Sequence, residues 1–130
     1  MLGLCALVLA IAVVVIVSGL WGVRDRLRAE KTLANMNELA GLIEYERERI
    51  DSVDDVWKIV EEYDREWVKR DGWGNRLVVE TSEDGGGALR VRSLGKDGER
   101  GDCCHGRVAG NWSADAVVEV PRQWLQYWDT

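Results

Sequence analysis

Three adjacent residues of the chain have side chains that commonly bind metals. Cys103, Cys104 and His105 stand together in the segment CCHG, and thiolates and imidazole are usual ligands of structural zinc. Zinc sites normally use cysteine pairs separated by at least two residues, whereas these cysteines are adjacent and no nearby spacing supplies a fourth ligand. The sequence therefore leaves open structural zinc, a vicinal or intermolecular disulfide, and two free loop thiols.

Residue patterns typical of an enzyme are not evident in the sequence. No serine or cysteine stands in a recognisable nucleophile elbow, and His105 has no evident orienting partner. No phosphate-binding glycine motif lies between a strand and a helix. The neighbouring carboxylates Glu61 and Glu62 fit the solvent face of a helix. We therefore expect a protein that is not an enzyme.

The chain begins with a long apolar segment. No residue from Met1 to Val23 is charged, and as a helix this segment is roughly 30 Å long, enough to cross the hydrocarbon core of a bilayer. A cleavable signal would begin with basic residues and end in a small-x-small site, and neither is clear here. We predict a transmembrane anchor over residues 1–23, with Cys5 facing lipid, and a globular domain over residues 24–130.

Every ionisable side chain except the Cys5 thiol follows Val23, so the net charge of −6 belongs to the globular domain. This charge disfavours a nucleic-acid partner, which requires a basic face. Basic residues are nevertheless concentrated just after the anchor, at Arg24, Arg26, Arg28 and Lys31. The positive-inside rule assigns such a cluster to the cytoplasm.

An amphipathic helix is predicted to continue the anchor from Arg24 to about Glu48. Apolar residues recur there at helical spacing and form one stripe. They are Ala29, Leu33, Met36, Ala40, Ile43 and Ile50. The simplest interpretation is one long rod, half in lipid and half packed on a small head, and a coiled coil is the alternative.

A second helix is predicted from Ser52 to about Lys69. Ser52 supplies a capping hydroxyl, and acidic residues follow it in the first turn. Apolar residues then keep helical spacing, namely Val53, Val56, Trp57, Val60 and Trp67. We expect Asp71 and Gly72 to end this helix, because glycine tolerates the left-handed conformation.

The period changes to two after Gly74, which predicts strands over 76–81 and 88–93 joined by the polar loop 82–87. In the second strand the alternation places Arg90 and Arg92 toward solvent. A third strand is predicted over Ala116–Val120. Pro121 is then expected to open a terminal helical turn in PRQWLQYW.

The segment KRDGWGNRLVVE, residues 69–80, is predicted to form a structural corner between the second helix and the sheet. Trp73 supplies a large apolar anchor, and Gly72 and Gly74 let the backbone turn tightly beside it. Asn75 can hydrogen-bond nearby backbone groups. We interpret Trp73 as a core residue rather than a platform for a ligand.

Two motifs in this order resemble the major pseudopilin of type II secretion systems, the G subunit. That family has an Asp-Pro-Trp-Gly-Asn-Pro corner before a strand, and Asp71, Trp73, Gly74 and Asn75 match it. It also has a Ser-Leu-Gly-Ala-Asp-Gly loop, matched here by Ser93, Leu94, Gly95, Asp97 and Gly98. The resemblance covers roughly residues 67–102. It implies a pilin-like α+β fold, with a long N-terminal transmembrane and amphipathic helix packed on a small head containing a second helix and a short antiparallel sheet.

The resemblance also implies a calcium site in the loop SLGKDGERGD. Calcium takes six to eight oxygen ligands, and Asp97 is the carboxylate that matches by position. Ser93 and Leu94 are candidate hydroxyl or carbonyl donors, and Asp102 could add charge, as could Glu99. The family's second acidic cluster is not matched, because HGRVAGNW places Arg107 close to where negative charge is expected. A Gly-rich turn without an ion is the alternative.

The resemblance implies a structural protein of a type II secretion pseudopilus or related filament. Its partners would be other pseudopilin subunits, further copies of itself and inner-membrane components of the secretion system, with the head outside the cytoplasm on a single-pass anchor in the inner membrane. Pseudopilins also have a basic leader, a processing site and an early glutamate, which MLGLCALVLA does not match. The alternative is a stand-alone membrane-tethered binding module that does not polymerise.

Overall fold

A computed structural model of the chain describes residues 2–82 and 87–130. It contains two α-helices, α1 (Leu2–Tyr45) and α2 (Val53–Glu62), and two short 3-10 turns, at Arg47–Arg49 and Glu66–Lys69. The strands are β1 (Val78–Thr81), β2 (Leu89–Ser93), β3 (Gly106–Val108), β4 (Ala116–Val120) and β5 (Gln123–Trp128). The predicted α+β class is confirmed.

Helix α1 has an exposed half and a packed half. Residues 2–24 are all exposed, and the helix is long and apolar enough to cross a membrane by length and composition. The packed half begins near Ala29, where the predicted apolar stripe begins to face the head. Ala29, Met36, Ala40 and Ile43 are all buried. The prediction of one long helix, with one half exposed and the other half packed on the head, is therefore confirmed.

The five strands form one sheet in the order β1-β2-β4-β5-β3. The pairings β1–β2, β2–β4 and β4–β5 are antiparallel, as predicted for the sheet. The pairing of β3 with β5 is parallel. The sheet is therefore mixed rather than purely antiparallel. Its parallel strand, β3, lies at the edge of the sheet after a long loop and was not among the predicted strands.

The core lies between α1, α2 and one face of the sheet. Helix α1 packs on β2 and β4, and α2 packs on α1 and β1. Val91 and Val118 from the sheet and Val60 from α2 have no exposed surface. The last strand closes this core with Trp128, which is 1% exposed.

The second helix ends earlier than predicted, at Glu62 rather than Lys69. Asp64 adopts a left-handed conformation with φ 53°. Its N–H donates to the carbonyl of Glu61, and the N–H of Arg65 donates to the carbonyl of Val60. This is the Schellman arrangement of a helix end, so the chain stops the helix with an aspartate before the predicted glycine.

Two predictions for the sheet are wrong. Arg90 and Arg92 do not face solvent, being 9% and 3% exposed. The segment after Pro121 is the strand β5 instead of a helical turn, because β4 and β3 on either side satisfy its backbone groups. The predicted loop 82–87 falls largely outside the described residues.

Candidate functional site

The buried carboxylate of Asp71 organises the corner. Its Oδ1 accepts hydrogen bonds from the backbone N–H groups of Trp73 and Asn75, each 2.9 Å long. Its Oδ2 accepts one from the hydroxyl of Ser93 at 3.1 Å. The side-chain amide of Asn75 donates to the carbonyl of Gly95 at 3.0 Å. The corner and the loop after β2 are therefore one connected unit.

Burial raises the pKa of Asp71 above its ordinary value, although the hydrogen bonds from Asn75, Ser93 and Trp73 favour the charged form. The physical cause is that the carboxylate is withdrawn from water, with only 4% of the residue exposed. Asp71 is thus a structural acceptor maintained at an energetic cost. It is not an exposed charge available to a ligand.

Gly72 brings the corner into direct contact with α1. Its N–H donates to the hydroxyl of Thr32 at 2.7 Å, and that hydroxyl donates to the carbonyl of Arg28 at 2.7 Å. A Cβ atom at Gly72 would lie 2.1 Å from the carbonyl oxygen of Arg28. Only glycine allows the backbone of the corner to approach the helix this closely.

Trp73 packs into the core, as predicted. Its ring meets the ring of Trp128 edge to face, with centroids 5.3 Å apart. Its Nε1 donates to the carboxylate of Asp25 at 3.4 Å, and the ammonium of Lys96 lies 2.9 Å from the same carboxylate. The indole and the ammonium therefore attach the head to α1 where the exposed half of the helix ends.

A second cluster surrounds the guanidinium of Arg92. Its Nε donates to Glu80 at 3.0 Å and its Nη1 to Asp115 at 2.7 Å. The side chain of Arg92 is 4% exposed and that of Asp115 is 0% exposed. Both oxygens of Asp115 also accept from the N–H of Gly101 at 3.2 Å. Because a buried carboxylate requires a partner, the cation of Arg92 compensates Asp115.

The same cluster reaches the predicted calcium loop through Arg100. The guanidinium of Arg100 donates to both oxygens of Glu80, at 2.9 and 3.2 Å. Burial raises the pKa of Glu80, but hydrogen bonds from Arg100 and Arg92 outweigh it and lower the pKa overall. Protein cations and Gly101 thus fix the middle of the loop.

The four predicted calcium ligands have different surroundings in the structure. Ser93 is buried, and its hydroxyl is used by Asp71. The carboxylate of Asp97 is exposed and accepts from the N–H of Glu99 at 3.0 Å. Asp102 is exposed, and Leu94 is half-buried.

Within residues 2–82 and 87–130, no three His, Cys, Asp or Glu side chains lie together in a way that could hold a metal. Calcium binding stays a prediction of the resemblance.

Of the alternatives for the CCHG segment, the structure has the disulfide, between Cys103 and Cys104. Bonded sulfurs offer no thiolate to zinc. The backbone N–H of His105 donates to the side-chain carbonyl of Gln126 at 3.2 Å. The amide nitrogen of Gln126 donates to the carbonyls of Asp102 and Asp115, so Gln126 ties this segment to β4 and β5.

Sequence patterns did not indicate Arg92, Asp115 and Gln126. An arginine alternating with apolar residues in a strand normally faces solvent, so Arg92 gave a misleading signal. One indication was available. Glu80 lies in the neighbouring predicted strand, directly opposite Arg90 in the register of the sheet. It is therefore a diagonal neighbour of Arg92, within reach of a long side chain. Asp115 precedes β4, and nothing in the spacing indicates that it meets a residue of β2.

No family model, no curated protein and no solved structure matches this chain. What the chain shares with pilins is the layout, a long N-terminal apolar helix packed on a small head that contains a β-sheet.

Proposed function

We propose that this chain is a membrane-anchored, pilin-like structural subunit, a component of a type II secretion pseudopilus or a related filament. The observation that carries the proposal is α1, a single helix that is exposed and apolar over residues 2–23 and packed on the head from Ala29 onward. A helix of this kind serves as a membrane anchor and as the spine of a subunit. The partners would be further copies, other pseudopilins and inner-membrane components of the secretion system.

Assembly would use the exposed half of α1. Gly3, Ala6 and Ala10 are spaced three and four residues apart and share one helix face. A Cβ atom at Gly3 would meet nothing within 4 Å. Small residues on one face let apolar helices approach closely in a membrane. The heads would then form the outer surface of the filament.

We propose that the head lies outside the cytoplasm, on a single-pass anchor in the inner membrane. The disulfide between Cys103 and Cys104 supports this placement, because disulfides persist in oxidising compartments and are rare in the cytosol. The basic residues after Val23 favour the opposite side by the positive-inside rule. A topology reporter fused after Thr130 separates the two placements.

Cysteine crosslinking in native membranes tests the assembly. Ala6→Cys and Ala10→Cys, each in a Cys5→Ala background, place a thiol on the small-residue face. Cys5 itself lies on the opposite face and serves as the matched control. We expect covalent dimers from the two small-face positions in preference to Cys5, and a formaldehyde ladder above the dimer. Monomers at every position would contradict the filament.

The alternative is a membrane-tethered binding module that does not polymerise. One observation favours it, a cavity of about 260 Å³ at the end of the head remote from the anchor. Apolar side chains line much of it, namely Ile43, Ile50, Val53, Leu89 and Val120. Such a module would give monomers in the crosslinking experiment while keeping the same fold.

Calcium binding is tested by melting the full chain in detergent with added calcium or with a chelator. A ligand that binds only the folded state raises its stability by mass action. A rise in melting temperature with calcium that Asp97→Ala abolishes would support the predicted site. Arg107→Ala, a change outside the predicted ligands, is the control. Equal melting temperatures in calcium and chelator would refute the site.

A further inference from the structure

Three basic residues follow the anchor on one face of α1. Arg24, Arg28 and Lys31 are spaced four and three residues apart, which aligns them along the helix. We call them the basic face. Trp21 precedes them on the same side of the helix and is 64% exposed. Tryptophan is enriched where a transmembrane segment meets the headgroups, so it marks the level of the membrane surface.

The neighbouring charges are already paired. Asp25 lies 2.9 Å from Lys96. Arg26 lies 3.6 Å from Glu30 and donates to the carbonyl of Thr130 at 2.6 Å. For the basic face itself, the part of the chain that the structure describes supplies no carboxylate within 4 Å. Arg28 is half-buried and its charge also acts on the carboxylate of Asp25, whereas Arg24 and Lys31 are exposed. The basic face therefore keeps positive charge that no ion pair in the described part of the chain neutralises directly.

The distance of the basic face from the end of the apolar segment suits the headgroup layer of a bilayer. At about 1.5 Å per residue, Arg24, Arg28 and Lys31 lie roughly 2, 8 and 12 Å beyond Val23. The headgroup region on each side of a bilayer is roughly 5 to 8 Å thick. Helical side chains lean toward the N-terminus of their helix, which here is the membrane side, and their stems can extend further in that direction.

We propose that the basic face binds the phosphate groups of anionic phospholipids and seats the head directly on the membrane. The complementary charge matters because the whole chain carries a net charge of −6, so an anionic surface repels the rest of the head. Each juxtamembrane cation strengthens binding to such a surface about fivefold, so the three together contribute about 100-fold. This inference is independent of filament assembly.

Native mass spectrometry of the full chain, released from nanodiscs of mixed phosphatidylcholine and phosphatidylglycerol, tests the proposal. We expect the wild type to retain phosphatidylglycerol preferentially. The triple variant Arg24→Gln, Arg28→Gln and Lys31→Gln should lose that preference. The charge-matched control is Arg47→Gln, Arg49→Gln and Lys58→Gln, in the 3-10 turn after α1 and on α2. Arg47 lies roughly 30 Å from the basic face, and this control should keep the preference.

Each other outcome overturns the proposal. An unchanged preference in the basic-face variant would mean that these residues do not bind lipid. An equal loss in both triple variants would assign the effect to net charge. Displacement of phosphatidylglycerol by inorganic phosphate in the nanodisc would make the site one for free phosphate. Near-UV circular dichroism of each variant verifies that the head is folded.

Discussion

At the scale of single residues, Arg92 has the largest expected effect on stability. Its guanidinium joins Glu80 to the fully buried Asp115, so Arg92→Met would leave the carboxylate of Asp115 without its cation. Removing one partner of a buried ion pair costs about 3–5 kcal/mol. We expect a loss near the lower end, because Gly101 still donates to Asp115. Urea unfolding of the full chain in detergent, followed by tryptophan fluorescence, measures it.

The control for Arg92 is Arg107→Met. Arg107 is exposed and donates to the hydroxyl of Tyr127. Because solvent screens such an exposed contact, Arg107→Met should lose much less stability than Arg92→Met. The double variant Arg92→Met with Asp115→Asn should lose less than the sum of the single losses, because the buried charge is removed as well. Similar losses for Arg92→Met and Arg107→Met would contradict the cluster.

The buried carboxyl group of Asp71 predicts that the free energy of unfolding depends on pH. Burial raises its pKa in the folded state above the ordinary value of 3.8. The contribution of this carboxyl to stability is therefore fully present below pH 3.8 and is lost as pH rises through the folded-state pKa. Asp71→Asn should consequently gain in stability relative to the wild type as pH increases from acid to neutral. Urea unfolding across that range measures the difference.

The asparagine at position 71 can keep the hydrogen bonds. Its carbonyl can accept from Trp73 and Asn75, and its amide can donate to the hydroxyl of Ser93. Asp97→Asn changes an exposed loop carboxylate and is the control. A stability difference between Asp71→Asn and the wild type that does not change with pH would show that burial of Asp71 does not govern its titration.

At the scale of elements, the contact between the corner and α1 can be tested with matched glycine substitutions. Gly72→Ala places a Cβ atom 2.1 Å from the carbonyl of Arg28, so the corner must move away from the helix. Such overpacking costs about 1–3 kcal/mol. In Gly41→Ala, the new Cβ would lie 3.7 Å from Arg122, an ordinary contact. That variant should gain up to about 1 kcal/mol from helix propensity.

The two glycine variants should therefore shift the urea midpoint in opposite directions. Both carry the same chemical change, so the unfolded state contributes similarly to each. A Gly72→Ala variant as stable as the wild type would mean that the corner does not touch α1 as closely as the structure has it.

The end of α2 gives a second element-scale prediction. Asp64 is at the left-handed position that closes the helix, with φ 53°, where glycine is free of the Cβ penalty. We expect Asp64→Gly to stabilise the chain by about 0.5–1 kcal/mol and Asp64→Val to destabilise it. Glu61→Gly, in the last turn of the helix, is the control and should destabilise by about 1 kcal/mol. Thermal melts of the three variants measure these differences in stability. An Asp64→Gly variant that melts below the wild type would contradict the role of Asp64 in closing the helix.

Local patterns predicted those elements whose determinants are close in sequence. The apolar stripe of α1 is visible because helical spacing brings Ala29, Met36 and Ile43 onto one face. The start of α2 is visible because Asp55 lies three residues after Ser52, and its carboxylate accepts the N–H of Ser52 at 3.1 Å. The corner is visible because its glycines and Trp73 occupy one short segment.

Contacts between distant segments were not predictable in the same way. Arg92 is buried against Asp115, and the two residues are 23 positions apart. Likewise β5 is a strand because β4 and β3 lie on either side of it, although its sequence also suits a helical turn. The candidate calcium residues came from a motif, which does not specify that the side chain of Ser93 would be used by Asp71.

At the scale of the whole molecule, the features near the anchor lie at one end of the head. Asp25 holds Trp73 and Lys96, Arg26 binds the carbonyl of Thr130, and the basic face begins at Arg24. The cavity lined by Ile50 lies at the other end. One end therefore fixes the head to α1 beside the exposed apolar half of the helix, an attachment that a filament subunit and a tethered module would both require.

Membrane topology is the last prediction. We expect a phosphatase reporter fused after Thr130 through a flexible linker to be active, because this reporter folds only outside the cytoplasm. Replacing the basic residues after Val23 with glutamine should increase that activity, since they oppose export of the head. In the unfused chain, Cys103 and Cys104 should react with an alkylating reagent only after reduction, as bonded cysteines do. Activity of a cytoplasm-only reporter, together with free thiols at both positions, would place the head inside the cell and remove the secretion pseudopilus from consideration.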